Sequence, residues 1–180
     1  GDGGVLSTGG EAGAIMKFGA KRSPEVITAS LIAPCGMNCA ICMGFLRDAK
    51  EKNVCPGCGG GDAGKPQSCR ACRIKNCPGL DGAEPAGTGA APAEQAFCFA
   101  CAKYPCTRMK QLDKRYRTKY GMSMLENLAT IRELGLDEFV SRERVRWTCP
   151  GCGGVICVHR RECVYCGKAR EGMPVGGTDD

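Results

Sequence analysis

Twelve of the sixteen cysteines in this chain fall in six C-x2-C pairs, and one hexapeptide, CPGCGG, is spelled twice, at 55–60 and at 149–154. Each copy is followed by a second pair at the same distance. The first reads CPGC, ten residues, CRAC (Cys55, Cys58, Cys69, Cys72), and the second reads CPGC, ten residues, CVYC (Cys149, Cys152, Cys163, Cys166). A C-x2-C turn aims two thiolates at one ion while its backbone amides face the sulfurs, and a glycine after the second cysteine permits the positive φ such a turn needs. Two such knuckles across a short loop complete a tetrahedron. The spacing therefore predicts two zinc ribbons. A closed four-thiolate site has no open coordination position, so its expected role is structural.

Metal has work to do in this chain. Leu, Ile, Val and Phe number 30 of 180 residues, below the roughly 20% at which a chain folds on burial alone. Structural zinc adds on the order of 10–16 kcal/mol in small peptides, enough to stand in for a thin core. Disulfides are the competing use of so many cysteines, but they belong to oxidising compartments. The Gly-rich, acidic residues 1–14 contain no charged region followed by an apolar run of signal-peptide length. No stretch approaches the ~20 apolar residues of a membrane span. The expectation is a cytoplasmic protein with reduced, metal-bound cysteines and no membrane association. Metal also bears on the formal charge of +6. Sixteen thiolates around four divalent ions would move it to about −2, so global basicity is no argument for nucleic acid.

The chain divides by composition. Residues 1–30 are expected to form a flexible arm and a short helix, with Ser23 as cap, Pro24 as starter and Pro34 as stop. Residues 31–106 form a cysteine-rich metal-binding module interrupted by a Gly/Ala/Pro loop at 79–96. Residues 107–147 are helical: Met124, Leu125, Leu128, Ile131 and Leu134 share one face, Ser123 with Glu126 reads as a capping box, and Gly135 as a stop. A further helix from Asp137 is expected to turn Phe139, Val140 and Val145 inward. Residues 148–168 make the C-terminal zinc ribbon, and 169–180 a disordered tail. The predicted fold class is a small metal-organised α+β protein, with zinc-ribbon-like modules around a short helical middle.

Eight cysteines lie outside the ribbons. Cys77, Cys98, Cys101 and Cys106 make one natural group of four, drawn from both sides of the loop. Cys35, Cys39 and Cys42 then need a fourth ligand, which Cys157 or His159, the single histidine, could supply. The Cys35-x3-Cys39-x2-Cys42 spacing also matches the radical S-adenosylmethionine motif. Nothing downstream alternates strands and helices as that barrel requires, which argues against this reading. An ordinary 4Fe-4S cluster at Cys35, Cys39 and Cys42 stays open, since all-cysteine surroundings serve zinc and iron alike.

The run KYPCTRMKQLDKRYRTKY concentrates Lys103, Arg108, Lys110, Lys114, Arg115, Arg117 and Lys119 against a lone Asp113. Interleaved Tyr104, Tyr116 and Tyr120 could stack on bases. Lys110, Lys114, Arg115, Arg117 and Lys119 are thus candidate nucleic-acid contacts. The favoured alternative is a solvated helix face that offsets anionic metal–thiolate sites.

The motifs IAPCGMNCAIC, CPGC, CRACRIKNC, FCFACAKYPC, DKRYRTKYGMSMLENL and WTCPGCGGVICVHRRECVYCG together resemble an uncharacterised cysteine-rich domain family of bacteria and archaea, common in anaerobes and described as zinc-binding. The resemblance covers about residues 31–168. It implies that Cys35, Cys39, Cys42, Cys55, Cys58, Cys72, Cys77, Cys98, Cys101 and Cys106 belong to the family pattern, with Cys157 and His159 in a C-terminal extension; it implies no reaction.

No nucleophile–base set, paired carboxylate site or phosphate-cradling glycine loop is evident, and one histidine limits acid–base chemistry. The sequence therefore predicts a non-catalytic zinc protein of about three to four ions, acting as a binding or adaptor module for a protein partner. The alternatives are an iron–sulfur electron-transfer or cluster-carrying protein, and nucleic-acid binding through residues 103–119.

Overall fold

The computed structural model describes residues 18–85 and 95–174. The start of the expected arm, the middle of the expected loop and the end of the expected tail lie outside the described residues. The three longer helices are α3 (Thr107–Tyr120), α4 (Met124–Leu134) and α5 (Leu136–Arg146), preceded by the one-turn helices α1 (Met43–Leu46) and α2 (Gln67–Arg70). Among the described residues β structure amounts to isolated antiparallel bridges: Phe18 with Arg47, Ile32 with Asn38, Thr148 with Val155, and Glu162 with Ala169. The α+β expectation is thus met on its helical side, while the β side shrinks to single bridges. Knuckle turns leave too few residues between ligands to extend a ladder.

Local chemistry sets the helix boundaries. Ser23 Oγ accepts the Glu25 N–H at the short 3-10 turn Pro24–Val26, as its Ser-Pro start predicts. Gly121 ends α3 in the left-handed region. Ser123 caps α4 by accepting from the Glu126 N–H, and the Gly135 N–H closes that helix on the Ile131 carbonyl. Buried Asp113 of α3 ties this corner together, accepting from the Ser123 hydroxyl (2.6 Å) and the Leu125 N–H (3.1 Å). On α4, Met124, Leu128 and Ile131 are buried, whereas Leu134 at the helix end is 45% exposed. Helix α5 starts at Leu136 and buries Phe139 and Val140. Val145 corrects the expectation: it is 80% exposed, because the inward position of that turn goes to Glu143.

One apolar cluster joins all three regions, from Ile27, Ile32, Ile41 and Leu46 through Phe97, Leu128 and Phe139 to Trp147, Val155 and Val158. Methionine fills what the aliphatics leave open: Met37, Met109, Met122 and Met124 are all buried there. Their unbranched side chains suit an irregular interior.

Two polar contacts fasten the 35–42 turn to the helices. Asn127 of α4 donates to the Gly36 carbonyl (2.9 Å). Asn38 donates to Glu143 Oε2 (3.1 Å), which also accepts from the Trp147 indole N–H (2.8 Å), while Arg146 lies 3.6 Å from the other carboxylate oxygen. The C-terminal region joins the same turn through Val158 N–H to the Ile41 carbonyl.

Candidate metal centres

The C-terminal centre is built from two matching knuckles. In the first, Cys149 N–H donates to the Gly154 carbonyl and Gly153 N–H to the Cys149 carbonyl; in the second, Cys163 N–H donates to Lys168 and Gly167 N–H to Cys163. The glycine after each pair has positive φ, 74° at Gly153 and 75° at Gly167. A side chain there would strain the turn. Cys149 Sγ lies 3.7 Å from Cys166 Sγ, and Cys152 Sγ lies 3.7 Å from Cys163 Sγ. All four sulfurs fall within 4.8 Å of one another.

These distances separate the possible chemistries. A disulfide needs sulfurs at about 2.05 Å. Four thiolates at about 2.3 Å around a tetrahedral zinc stand about 3.8 Å apart. The donor set and its spacing therefore fit a metal such as zinc, and an all-thiolate set also serves iron. Burial raises the Cys149 thiol, but the N–H groups of Gly151 and Cys152 and the thiols of Cys163 and Cys166 outweigh it and bring it down to about 7. Burial pushes its neighbour Cys163 up.

The first copy of the motif folds differently despite its identical spacing. Positive φ falls inside the C-x2-C turn, at Gly57 (95°), rather than after it. Its second pair sits on and just beyond helix α2, where the C-terminal copy has a bridged turn. Among the described residues only the C-terminal four draw within 4.8 Å. Cys55 and Cys58 instead reach toward the 35–42 turn. The Cys58 N–H donates to Cys39 Sγ (3.3 Å), and the Cys55 N–H donates to the Gly44 carbonyl beside Cys42. A Cβ on Gly44 would come 3.3 Å from Cys55 Cβ and 3.8 Å from Cys42 Sγ, so the glycine backbone packs closely between these two cysteines.

Cys35, Cys39, Cys42, Cys55, Cys58, Cys69 and Cys72 thus share one neighbourhood rather than a separate ribbon and triplet. Burial chiefly, then the neighbouring thiols, raises Cys35, Cys42, Cys58 and Cys69, and pushes Cys39 up to about 12. Lys65, which motif reasoning passed over, closes the Cys58 turn. Its buried ammonium donates to the Cys58 (3.0 Å) and Gly60 (2.6 Å) carbonyls. An isolated lysine in a glycine-rich loop carries no sequence signal for such a role.

Cys77, Cys98, Cys101 and Cys106 line one small cavity with Tyr104 and Met109. A Cβ on Gly79 would fall 2.9 Å from Cys101 Sγ and 3.5 Å from Cys77 Sγ. Burial first, then Cys106, Cys77 and Cys101, pushes Cys98 up to about 12. The structure brings this group together across the loop, though not within the 4.8 Å of the C-terminal four.

Cys157 is fully buried; burial first, with the Cys42 thiol adding to it, pushes it up to about 11. Its neighbour Val158 donates its N–H to the Ile41 carbonyl, which sets this stretch beside the 35–42 turn. His159 does not offer a ligand atom in this arrangement. Its Nδ1 accepts the Met43 N–H (3.3 Å), so Nε2 carries the proton and donates to the Tyr116 hydroxyl (3.0 Å). Burial first, then the cations of Arg160, Arg170 and Arg115, lowers it to about 4, so the ring is neutral at pH 7.

On α3, Lys110, Lys114, Arg115 and Arg117 are exposed and Lys119 is half-buried. The tyrosines correct the stacking expectation. Tyr116 and Tyr120 meet edge-on with centroids 5.0 Å apart and both pack edge-on against His159, and Tyr104 lines the Cys98 cavity. Among the described residues no helix is long and apolar enough to cross a membrane. Comparison with family models, with curated proteins and with solved structures finds no match to this chain.

Proposed function

We propose that this protein is a non-catalytic, zinc-organised binding module of the cysteine-rich family its motifs resemble. The observation that carries the reading is the four-sulfur set of Cys149, Cys152, Cys163 and Cys166, whose 3.7 Å separations match a closed tetrahedral site. Such a site holds structure and leaves no position for substrate. Zinc there staples the C-terminal turns, which in turn lay Val155 and Val158 into the core.

A second reading applies to the N-terminal thiols. Seven cysteines in one neighbourhood exceed the four that one zinc takes, which favours either two ions or a cluster such as 4Fe-4S. Metal and sulfide analysis, with a visible spectrum on protein purified without oxygen, tests both. Colourless protein with about three to four zinc per chain supports the scaffold. A brown solution containing iron and inorganic sulfide, with zinc at the C-terminal site alone, supports a cluster carrier. Protein that folds with no metal at all overturns both.

A further inference from the structure

Helix α3 presents Arg108, Gln111, Leu112 and Arg115 at spacings of three, one and three residues, and these line one wall of an open groove of about 450 Å³. Such spacing places them on a single helix face. The opposite wall is helix α2 with the segment that follows it, through Ser68, Cys72 and Arg73. Three guanidiniums from two elements therefore flank the apolar side chains of Ile74 and Leu112, its floor; no carboxylate lines the groove, and Cys72 of the N-terminal thiols does. Among the described residues Arg73, Arg108 and Arg115 enter no ion pair, unlike Arg117, Arg142, Arg144 and Arg146. Arg73 and Arg108 also line the adjoining cavity over Cys77, Cys98, Cys101 and Cys106, so the cationic rim continues past one groove.

We propose that this groove binds single-stranded nucleic acid, with bases laid on the Ile74–Leu112 floor and phosphates held by Arg73, Arg108 and Arg115. An apolar floor between guanidiniums is complementary to a chain that alternates flat apolar bases with charged phosphates. Planar guanidinium forks match phosphate oxygens and also stack on base faces. Ser68 and Gln111 at the walls supply hydrogen-bonding groups for base edges. The exposed Lys110, Lys114 and Arg117 on the rest of α3 extend the positive field for a strand leaving the groove. A phosphopeptide offers the guanidiniums one phosphate at a time, whereas a strand carries one on every nucleotide; competition between the two is an outcome of the test. This site differs from the one read from sequence: Arg73 lies 42 positions from Arg115 in the chain and joins it only through folding.

The test is fluorescence anisotropy of a labelled mixed-sequence strand of about 12 nucleotides with protein in its as-purified metal state. Three neutralised phosphates give a log–log salt slope of about −2, so affinity falls about 20-fold between about 50 and 200 mM salt. Arg73→Ala with Arg108→Ala and Arg115→Ala should weaken binding at least about tenfold and flatten that slope. Arg73→Glu alone should weaken it in the same direction from an exposed turn. Lys50→Ala with Lys52→Ala, exposed cations outside the groove, should leave binding unchanged. Metal content and melting temperature of each variant establish that it is folded. The proposal is overturned if the wild type does not bind at low salt, or if the arginine variants bind as well as the wild type. It is equally overturned if the Lys50/Lys52 variant loses as much, or if a phosphoserine peptide of equal charge competes as well as the strand.

Discussion

Glu143 shows how a single side chain can hold a metal turn in place without touching metal. It is 2% exposed and accepts from Asn38 and Trp147. Burial raises its carboxyl above the ordinary carboxylate range, against the lowering influence of Asn38, Arg146 and Trp147. A raised acid favours the protonated fold. This contribution is complete below the unfolded value of about 4.3 and is lost as pH rises through the folded one. Urea unfolding of wild type beside Glu143→Gln should therefore show wild type losing relative stability as pH climbs from about 4.3 toward neutrality. Glu143→Ala leaves two buried donors unpaired and should cost about 1–3 kcal/mol for each. Gly36 is the second residue of this kind. At φ 86°, a Cβ there would lie 3.0 Å from Leu128 Cγ and from the Met124 carbonyl oxygen. Gly36→Ala should destabilise by about 1–3 kcal/mol in thermal unfolding, from strain and crowding together.

Among the elements, the two copies of CPGCGG are the instructive pair. Both place two thiols on a turn, which is a local property of the backbone and was legible from spacing. The partner pairs diverge because Pro66 leads into helix α2, whereas 161–170 can bridge Glu162 to Ala169. Replacing Cys149 and Cys163 by Ser should remove one metal ion per chain by elemental analysis. It should also expose amides of 148–169 to hydrogen exchange while α3 and α4 stay protected. At the α3–α4 corner, Asp113→Asn keeps an oxygen acceptor and should unfold near wild type. Asp113→Ala abandons the Ser123 hydroxyl and the Leu125 N–H, at a cost of about 1–3 kcal/mol in urea unfolding.

At the level of the whole molecule, burial and metal binding are tied together. Thiols pushed up to about 12, as at Cys39 and Cys98, remain protonated at neutral pH unless a cation offsets the charge. Metal uptake must then release protons, and affinity must fall with pH. Titration from neutral to acid should release metal before the helices melt, followed by circular dichroism with a thiophilic chelator as control. Simultaneous loss of helix and metal at the first step would instead mean that α3–α5 have no stability of their own.

Ligand spacing, helix positions and caps such as Ser23, Ser123 and Gly135 were readable from the chain because each depends on neighbours a few residues away. The grouping of the N-terminal thiols was not. It depends on Asn127 and Glu143 fastening a turn about a hundred residues away, and on Lys65 closing the Cys58 turn; no periodicity marks a polar side chain for such a role. His159 illustrates the same division. Its chemistry made it a reasonable ligand, but packing among Met43, Tyr116 and Tyr120 engages both ring nitrogens. Side-chain type sets which bonds are possible; long-range packing sets which partner is within reach.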